Sequence, residues 1–524
     1  MNRDDGAAPG PAIHIGRTAL TQRLGLTPEL LPADTWVVWR VGQALILAGG
    51  DNAHNLSPVG KDLAPFGTLY ATYELLERAL GVRWYWPGDL GRVTPKAATV
   101  SLGQVHWQGA PSYETRFAWY SNIKDPAIST AEAQAWWRRL RWGGLGGSPI
   151  GMHSFNDWNK RFGNDHPEWF ALQRNGQRLN SPEATGNERG HLCWTNPEVL
   201  AATVAEKRSQ LDASPHTLAQ SVMPGDSDGL YQCQCDGCRA RFDPDAGPSG
   251  RHSRVVWSFV NQVAAQVRQS HPDRFITCGA YASYRAVPED VPFEPNVAVS
   301  ICDGSFPGRL WRPELKTAYV RQIEAWSRKS ARLYVWDYWN NPRYSKGLHG
   351  APSIMPHAIQ EWLLLERGRV RGHSIELCDI DHEGVSVGGW ADWTYDALNV
   401  YVGMRLLWNL DQDVEALVEE FYSVFYGPVA GPHLRRFYSE MEAAYADPAT
   451  KGSPEVRWDF ETCWTQTYPP EFVERVMGYL QAAEQESRGV EPYHGRAART
   501  LAGFLPFAQA SQRWGAARTA SPPD

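Results

Sequence analysis

Apolar and polar positions alternate along Thr35 to Ala48 (TWVVWRVGQALILA), which predicts a hairpin of two strands. The period then lengthens. Gly67 to Leu80 carries apolar residues at Leu69, Tyr73, Leu76 and Leu80, one face of a helix, and Gly81 is a natural stop. From Pro111 onward short apolar runs alternate with long amphipathic segments, the signature of βα units around a parallel sheet. Eight runs qualify as strands: Glu114–Tyr120, Gly143–Ile150, Gly151–Phe155, Leu218–Met223, Phe275–Tyr281, Val297–Cys302, Arg332–Trp336 and Ser374–Cys378. Helices are predicted between them at Ala131–Trp142, Pro197–Leu211, Ser253–Ser270, Pro313–Lys329 and Pro356–Arg367. After Trp393 the pattern is helical to the end, at Tyr395–Leu407, Asp413–Tyr426, Leu434–Ala446, Pro470–Ser487 and Tyr493–Gln512.

Eight βα units make an α/β fold of the (β/α)8 TIM-barrel type, whose sites lie at the carboxyl ends of the strands. The expected organisation is an N-terminal α/β domain over 1–108, the barrel over 109–393 and a C-terminal helical domain over 394–524.

Composition narrows the function. A net charge of −7 argues against nucleic acid or an anionic membrane as partner, and no run of 18 apolar residues occurs. The N-terminal MNRDDGAAPGPAIHIG lacks a leader pattern. That fits a cytoplasmic protein, or a secreted or periplasmic one whose leader has been removed. Twenty-four Trp is an unusual number. About half are assigned to core and interfaces; the rest point to sugar rings, whose C–H faces stack on indole.

The chemistry-bearing stretch is Thr217 to Cys238, TLAQSVMPGDSDGLYQCQCDGC. It is read as strand four, broken at Pro224-Gly225 and ending in two carboxylates, Asp226 and Asp228. Close carboxylates push one pKa up, as a proton donor near neutral pH requires. In isolation Asp-Ser-Asp-Gly would also serve as a plain turn. Cys233, Cys235 and Cys238 have metal-ligand spacing, and Cys193 in HLCWTN is the candidate fourth ligand of a structural zinc; disulfides are the rival. No cofactor is expected in catalysis. Other strand ends supply Arg116, Trp119 and Asn122; His153; Tyr281; Trp336, Asp337, Tyr338 and Asn340; and Glu376 with Trp390 beyond it. All are candidates for binding sugar, with Glu376 a substitute catalytic acid.

The segment GTLYATYELLERALGVRWYWPGDLG resembles the accessory domain that precedes the barrel in α-glucuronidases and β-hexosaminidases. YETRFAW, HSFNDW, HPEWFAL, HLCWTNPEV, WDYWNN and LLWNLDQDVEALVEEFYSVFYG together resemble the bacterial group called domain of unknown function 4838, within the barrel glycoside hydrolase superfamily. The resemblance implies a hydrolase removing a terminal β-linked N-acetylhexosamine, N-acetylgalactosamine first, with the substrate's 2-acetamido oxygen as nucleophile. It makes Asp226 and Asp228 acetamide orienter and general acid, in either order. It makes Arg116 the hydroxyl clamp and Trp336, Tyr338 and Trp390 an aromatic cage. The Ser227 between the two acids departs from the adjacent pair usual in such enzymes. Two rivals stand beside this reading: an inverting α-glucuronidase-like hydrolase, and a carbohydrate-binding barrel without catalysis.

Overall fold

The computed structural model describes residues 11–51, 65–119, 128–144, 151–214, 217–226, 230–302, 312–339, 352–376, 393–447 and 463–520. Near the N-terminus, β1 (Ala12–Ile15), β2 (Trp36–Val41), β3 (Ala44–Gly49) and later β6 (His106–Gly109) form one sheet in the order β1-β3-β2-β6. β2 and β3 are the predicted hairpin. Two short strands, β4 (Arg83–Trp84) and β5 (Arg92–Val93), pair separately.

The helix Gly67–Leu80 covers the sheet and ends as predicted, on a left-handed Gly81 with φ 67°. Its first residue must be glycine: a Cβ on Gly67 would lie 2.1 Å from the Thr35 carbonyl oxygen and 2.4 Å from the Gly50 nitrogen. Backbone against backbone at that distance leaves no room for any side chain.

β7 (Thr115–Trp119), β8 (Ala219–Ser221), β9 (Phe275–Tyr281), β10 (Val297–Cys302), β11 (Arg332–Tyr338) and β12 (Val370–Glu376) form one parallel sheet in the order β7-β12-β11-β10-β9-β8. It curls into half a barrel. Of the eight predicted strands, the third is reduced to one bridge, His153 to Met223, beside β8. The second leaves one bridge, Gly143 to Arg116, beside β7, and 145–150 lie outside the described residues.

Register sorts the strand residues onto two faces. Paired positions put Thr277, Gly279 and Tyr281 of β9 with Ser300 and Cys302 of β10, and Tyr334, Trp336 and Tyr338 of β11, on the inner face. Cys278, Val299, Val335, Asp337, His373 and Arg116 belong to the outer face, towards the helices. Trp136, Trp137, Trp158, Trp257, Trp326, Trp339, Trp362 and Trp464 are all fully buried. The tryptophan excess is thus in good part a core feature.

Charged side chains tie the three regions together. Arg141 is buried between Glu74 (2.9 Å) and Glu77 (2.7 Å) of the helix Gly67–Leu80, and Arg405 of the helix Trp393–Trp408 reaches the other Glu77 oxygen at 2.6 Å. The Trp408 indole donates to Glu74 at 2.9 Å. Farther along, Glu420 accepts from Arg83, Tyr85 and Tyr401.

The outer face carries a second buried cluster. The His373 imidazole lies 2.7 Å from Glu366 and 3.2 Å from Asp337, all three out of solvent. Burial would discharge this histidine, but the two carboxylates outweigh it and hold its pKa up at about 10. Because the folded value lies above the unfolded one, the imidazolium contributes fully below pH ~6.5 and its contribution is gone once pH passes about 10. The unfolding free energy from urea titrations should therefore fall above neutrality, by up to about 1.4 kcal/mol per pH unit from this group. His373→Gln should remove that slope; an unchanged alkaline slope in the variant would exclude His373 as its source.

Candidate active site

β8 is extended by Val222 and Met223 before the chain turns at Pro224-Gly225 and delivers Asp226 to the surface. The Asp226 carboxylate accepts a hydrogen bond from the Tyr281 hydroxyl at 2.8 Å. Tyr281 is the last residue of β9, the neighbouring strand, so the parallel register brings the two strand ends side by side. His153, bridged to Met223, places Nδ1 2.5 Å from the Pro224 carbonyl and its ring 6.2 Å from that of Tyr281. The acid, the phenol and the imidazole thus share the carboxyl ends of neighbouring chain segments, where barrel-type folds keep their chemistry.

Two further groups frame Asp226 that sequence reasoning passed over. His191 donates from Nε2 to the Asn187 carbonyl at 2.7 Å, and burial pushes its pKa down to about 4, so it is a neutral imidazole at pH 7. The Tyr231 ring lies tilted beside it, with ring centroids 5.1 Å apart. A Cβ on Gly225 would lie 2.0 Å from the Arg189 carbonyl oxygen and 3.1 Å from His191 Nε2, so the acid-bearing turn is pressed directly onto this loop. Their only trace in the sequence is proximity to cysteines: His191 stands two residues before Cys193, and Tyr231 two before Cys233.

Trp336 and Tyr338 are half-buried on the inner face of β11, and the Tyr338 hydroxyl is 3.7 Å from the Cys302 sulfur. Glu376 and Trp119 occupy register positions in line with Tyr338, at the ends of β12 and β7. Asn122, Asp228, Asn340 and Trp390 lie outside the described residues.

Two expected sugar contacts are corrected. Arg116 is on the outer face, fully buried, with Nη2 2.8 Å from Asp34, Nε on the Arg141 carbonyl and Nη1 on the Tyr113 carbonyl. Its donors are occupied by the protein itself, so it joins the N-terminal sheet to β7 and clamps no hydroxyl. Asp337 also faces outward, accepting from the Trp339 indole at 2.9 Å and pairing with His373. In both cases the alternation of the strand, not its position near the strand end, decides the direction.

A groove of about 960 Å³ is lined among others by Arg174, Leu230, Gln234, Arg251 and Ser283, and by none of Asp226, Tyr281 and His153. Leu230 follows Asp226 by four residues and Ser283 follows Tyr281 by two. Leu230 is 74% exposed on the rim of this groove. Behind its Gln234 wall, the four sulfurs of Cys193, Cys233, Cys235 and Cys238 lie within 4.8 Å of one another.

A curled parallel sheet with an acid and aromatics at its carboxyl edge defines a barrel-derived α/β protein with a surface-accessible polar site. Solved structures agree on the fold. The chain superposes on a family GH115 4-O-methyl-α-glucuronidase with specificity for decorated arabinogalactans (TM-score 0.52, 14% identity, 95% of this chain and 66% of that one). It superposes on a GH138 enzyme targeting pectin rhamnogalacturonan II (0.50, 9%, 95% and 68%). It also superposes on a family 89 glycoside hydrolase from Clostridium perfringens in complex with 2-acetamido-1,2-dideoxynojirmycin (0.53, 9%, 93% and 58%). The chain therefore spans about three fifths to two thirds of the length of these relatives. No curated protein sequence matches it. Residues 86–439 match the family model described as Domain of unknown function (DUF4838), and the chain belongs to that family.

Proposed function

We propose that this protein is a glycoside hydrolase that removes a terminal N-acetylhexosamine through the substrate's own acetamido group. The observation that carries the reading is the Tyr281–Asp226 pair at 2.8 Å. An acetamide offers one N–H donor and one C=O acceptor, and a carboxylate beside a phenol offers the complement of both. Asp226 would accept the amide N–H and so polarise the carbonyl oxygen, and Tyr281 would turn its one O–H from Asp226 to that oxygen when the substrate binds. This leaves Asp228 as the general acid, with Glu376 next in line.

In the first step the acetamido oxygen bonds to the anomeric carbon as the glycosidic C–O bond breaks, and the acid's proton goes to the departing oxygen. Water then opens the cyclic intermediate, returning a proton to the acid. Attack from the 2-acetamido group must come opposite the leaving group, which requires the β anomer in gluco- and galacto-configured sugars. The fold shared with three glycoside hydrolases, one of them holding a 2-acetamido ligand, supports this reading.

A second reading is favoured by one observation. Arg174 and Arg251 in the groove have no ion-pair partner among the described residues, and a uronic acid would supply one. This would be an inverting hydrolase of the α-glucuronidase kind. A panel of 4-nitrophenyl glycosides on the purified protein separates the two. Release from the β-2-acetamido sugars, galacto above gluco, with none from their 2-hydroxy analogues is the expected result. Cleavage of a glucuronide alone, or of an α-2-acetamido sugar alone, would sink the substrate-assisted mechanism. No turnover on any member, with glycan binding retained, would make the protein a binding barrel.

A further inference from the structure

We infer that Cys193, Cys233, Cys235 and Cys238 form a closed tetrathiolate site for one zinc ion, which braces the wall beside Asp226. The geometry fits a tetrahedron. A metal–sulfur bond of about 2.3 Å sets sulfur–sulfur edges of about 3.8 Å. Cys193 lies 3.5 Å from Cys235 and 4.0 Å from Cys238, and all four sulfurs fall within 4.8 Å. Disulfides would instead divide the four into two bonded pairs at about 2.05 Å. Here each thiol is free, and the four converge on one point although Cys193 and Cys235 are 42 residues apart in sequence.

A second observation points the same way. Donors are aimed at the sulfurs: the Leu172 amide at Cys233 (3.4 Å), and the Thr195 hydroxyl beside Cys238 (3.3 Å) and Cys235 (3.7 Å). Groups of this kind orient and stabilise metal-bound thiolates. The local backbone is shaped to keep them there, since a Cβ on Gly237 would meet Thr195 Oγ1 at 2.8 Å. With four protein sulfurs the shell has no open position, so the ion holds structure and takes no part in bond breaking.

What it holds follows from the chain. His191 precedes one ligand by two residues and Tyr231 precedes another by two. These two rings meet each other, and His191 backs the turn that carries Asp226. The Gln234 amide bonds to the Leu172 carbonyl at 2.7 Å, so the same clamp also joins two walls of the groove. Zinc is favoured over harder cations because every donor is a soft thiolate.

The test uses the full chain purified without added chelator. Elemental analysis should find about one zinc per chain, released when a mercurial titrates the thiols. Exchange into cobalt should give the visible bands of a tetrahedral cobalt thiolate. Cys235→Ser should lose at least about tenfold in zinc affinity, whereas Cys278→Ser, which changes a buried strand thiol outside the cluster, should keep the metal. If Cys235→Ser does not fold, metal content and cobalt spectra of the unaltered chain still decide. Less than about a tenth of an equivalent of any metal, or disulfides between these cysteines by mass spectrometry, would overturn the site; an equivalent of iron would overturn zinc as its occupant.

Discussion

Asp226→Asn is expected to lower kcat by about 10²–10⁴-fold on an aryl β-2-acetamido glycoside and on a natural disaccharide alike. The amide side chain has one acceptor oxygen in place of two and no charge to polarise the acetamide, so the internal nucleophile loses orientation and activation. Asp228→Asn should behave differently. Nitrophenolate leaves without a proton, whereas a sugar alkoxide does not. The loss for Asp228→Asn should therefore be of that size on the disaccharide and much smaller on the aryl glycoside. Steady-state kinetics on both substrates, with circular dichroism to check the fold, separates the roles. Equal losses on the two substrates for Asp228→Asn would return the proton-donor role to Asp226 or Glu376. Full activity of Asp226→Asn would remove it from the site.

The second large effect concerns stability. Arg141→Met should destabilise the protein by about 3–5 kcal/mol, because Glu74 and Glu77 would stay buried without their shared cation. Burial alone would raise the Glu77 carboxyl, but Arg141 and Arg405 reverse this and hold it at about 2. A depressed value means the contribution is present above the ordinary glutamate pKa of ~4.3 and is lost as pH falls through about 2. Urea unfolding should show the full cost of Arg141→Met at pH 7 and a shrinking difference from wild type below pH ~4. A cost under about 1 kcal/mol at pH 7 would show that the acids find other partners.

The sequence was most readable where burial is two-sided. β9 and β10 and the helix Pro313–Lys329 have the predicted bounds, because unbroken apolar runs and a sustained 3.6-residue period leave few alternatives. Cys233, Cys235 and Cys238 were singled out by their spacing and Cys193 by its place before the helix leading to β8, and their four sulfurs lie within 4.8 Å of one another. Arg116 and Asp337 were misread for a definite reason. A residue near a strand end faces the mouth or the helices according to parity, and one step in register reverses the answer. His191 and Tyr231 were invisible because their partner, the Gly225 turn, is distant in sequence and approaches through backbone atoms. The Glu74–Arg141–Glu77–Arg405 network was out of reach for the same reason: its members come from three regions.

That network also sets an order in time. Glu77 and Arg405 are 328 residues apart, and Arg83 and Glu420 are 337 apart. At a synthesis rate of about 5–20 residues per second, roughly 20–60 s pass between the appearance of Glu77 and that of Arg405, the second of its two cations. Glu77 thus emerges from the ribosome as a charge meant for burial, meets Arg141 first, and stays partly hydrated until Arg405 has been made.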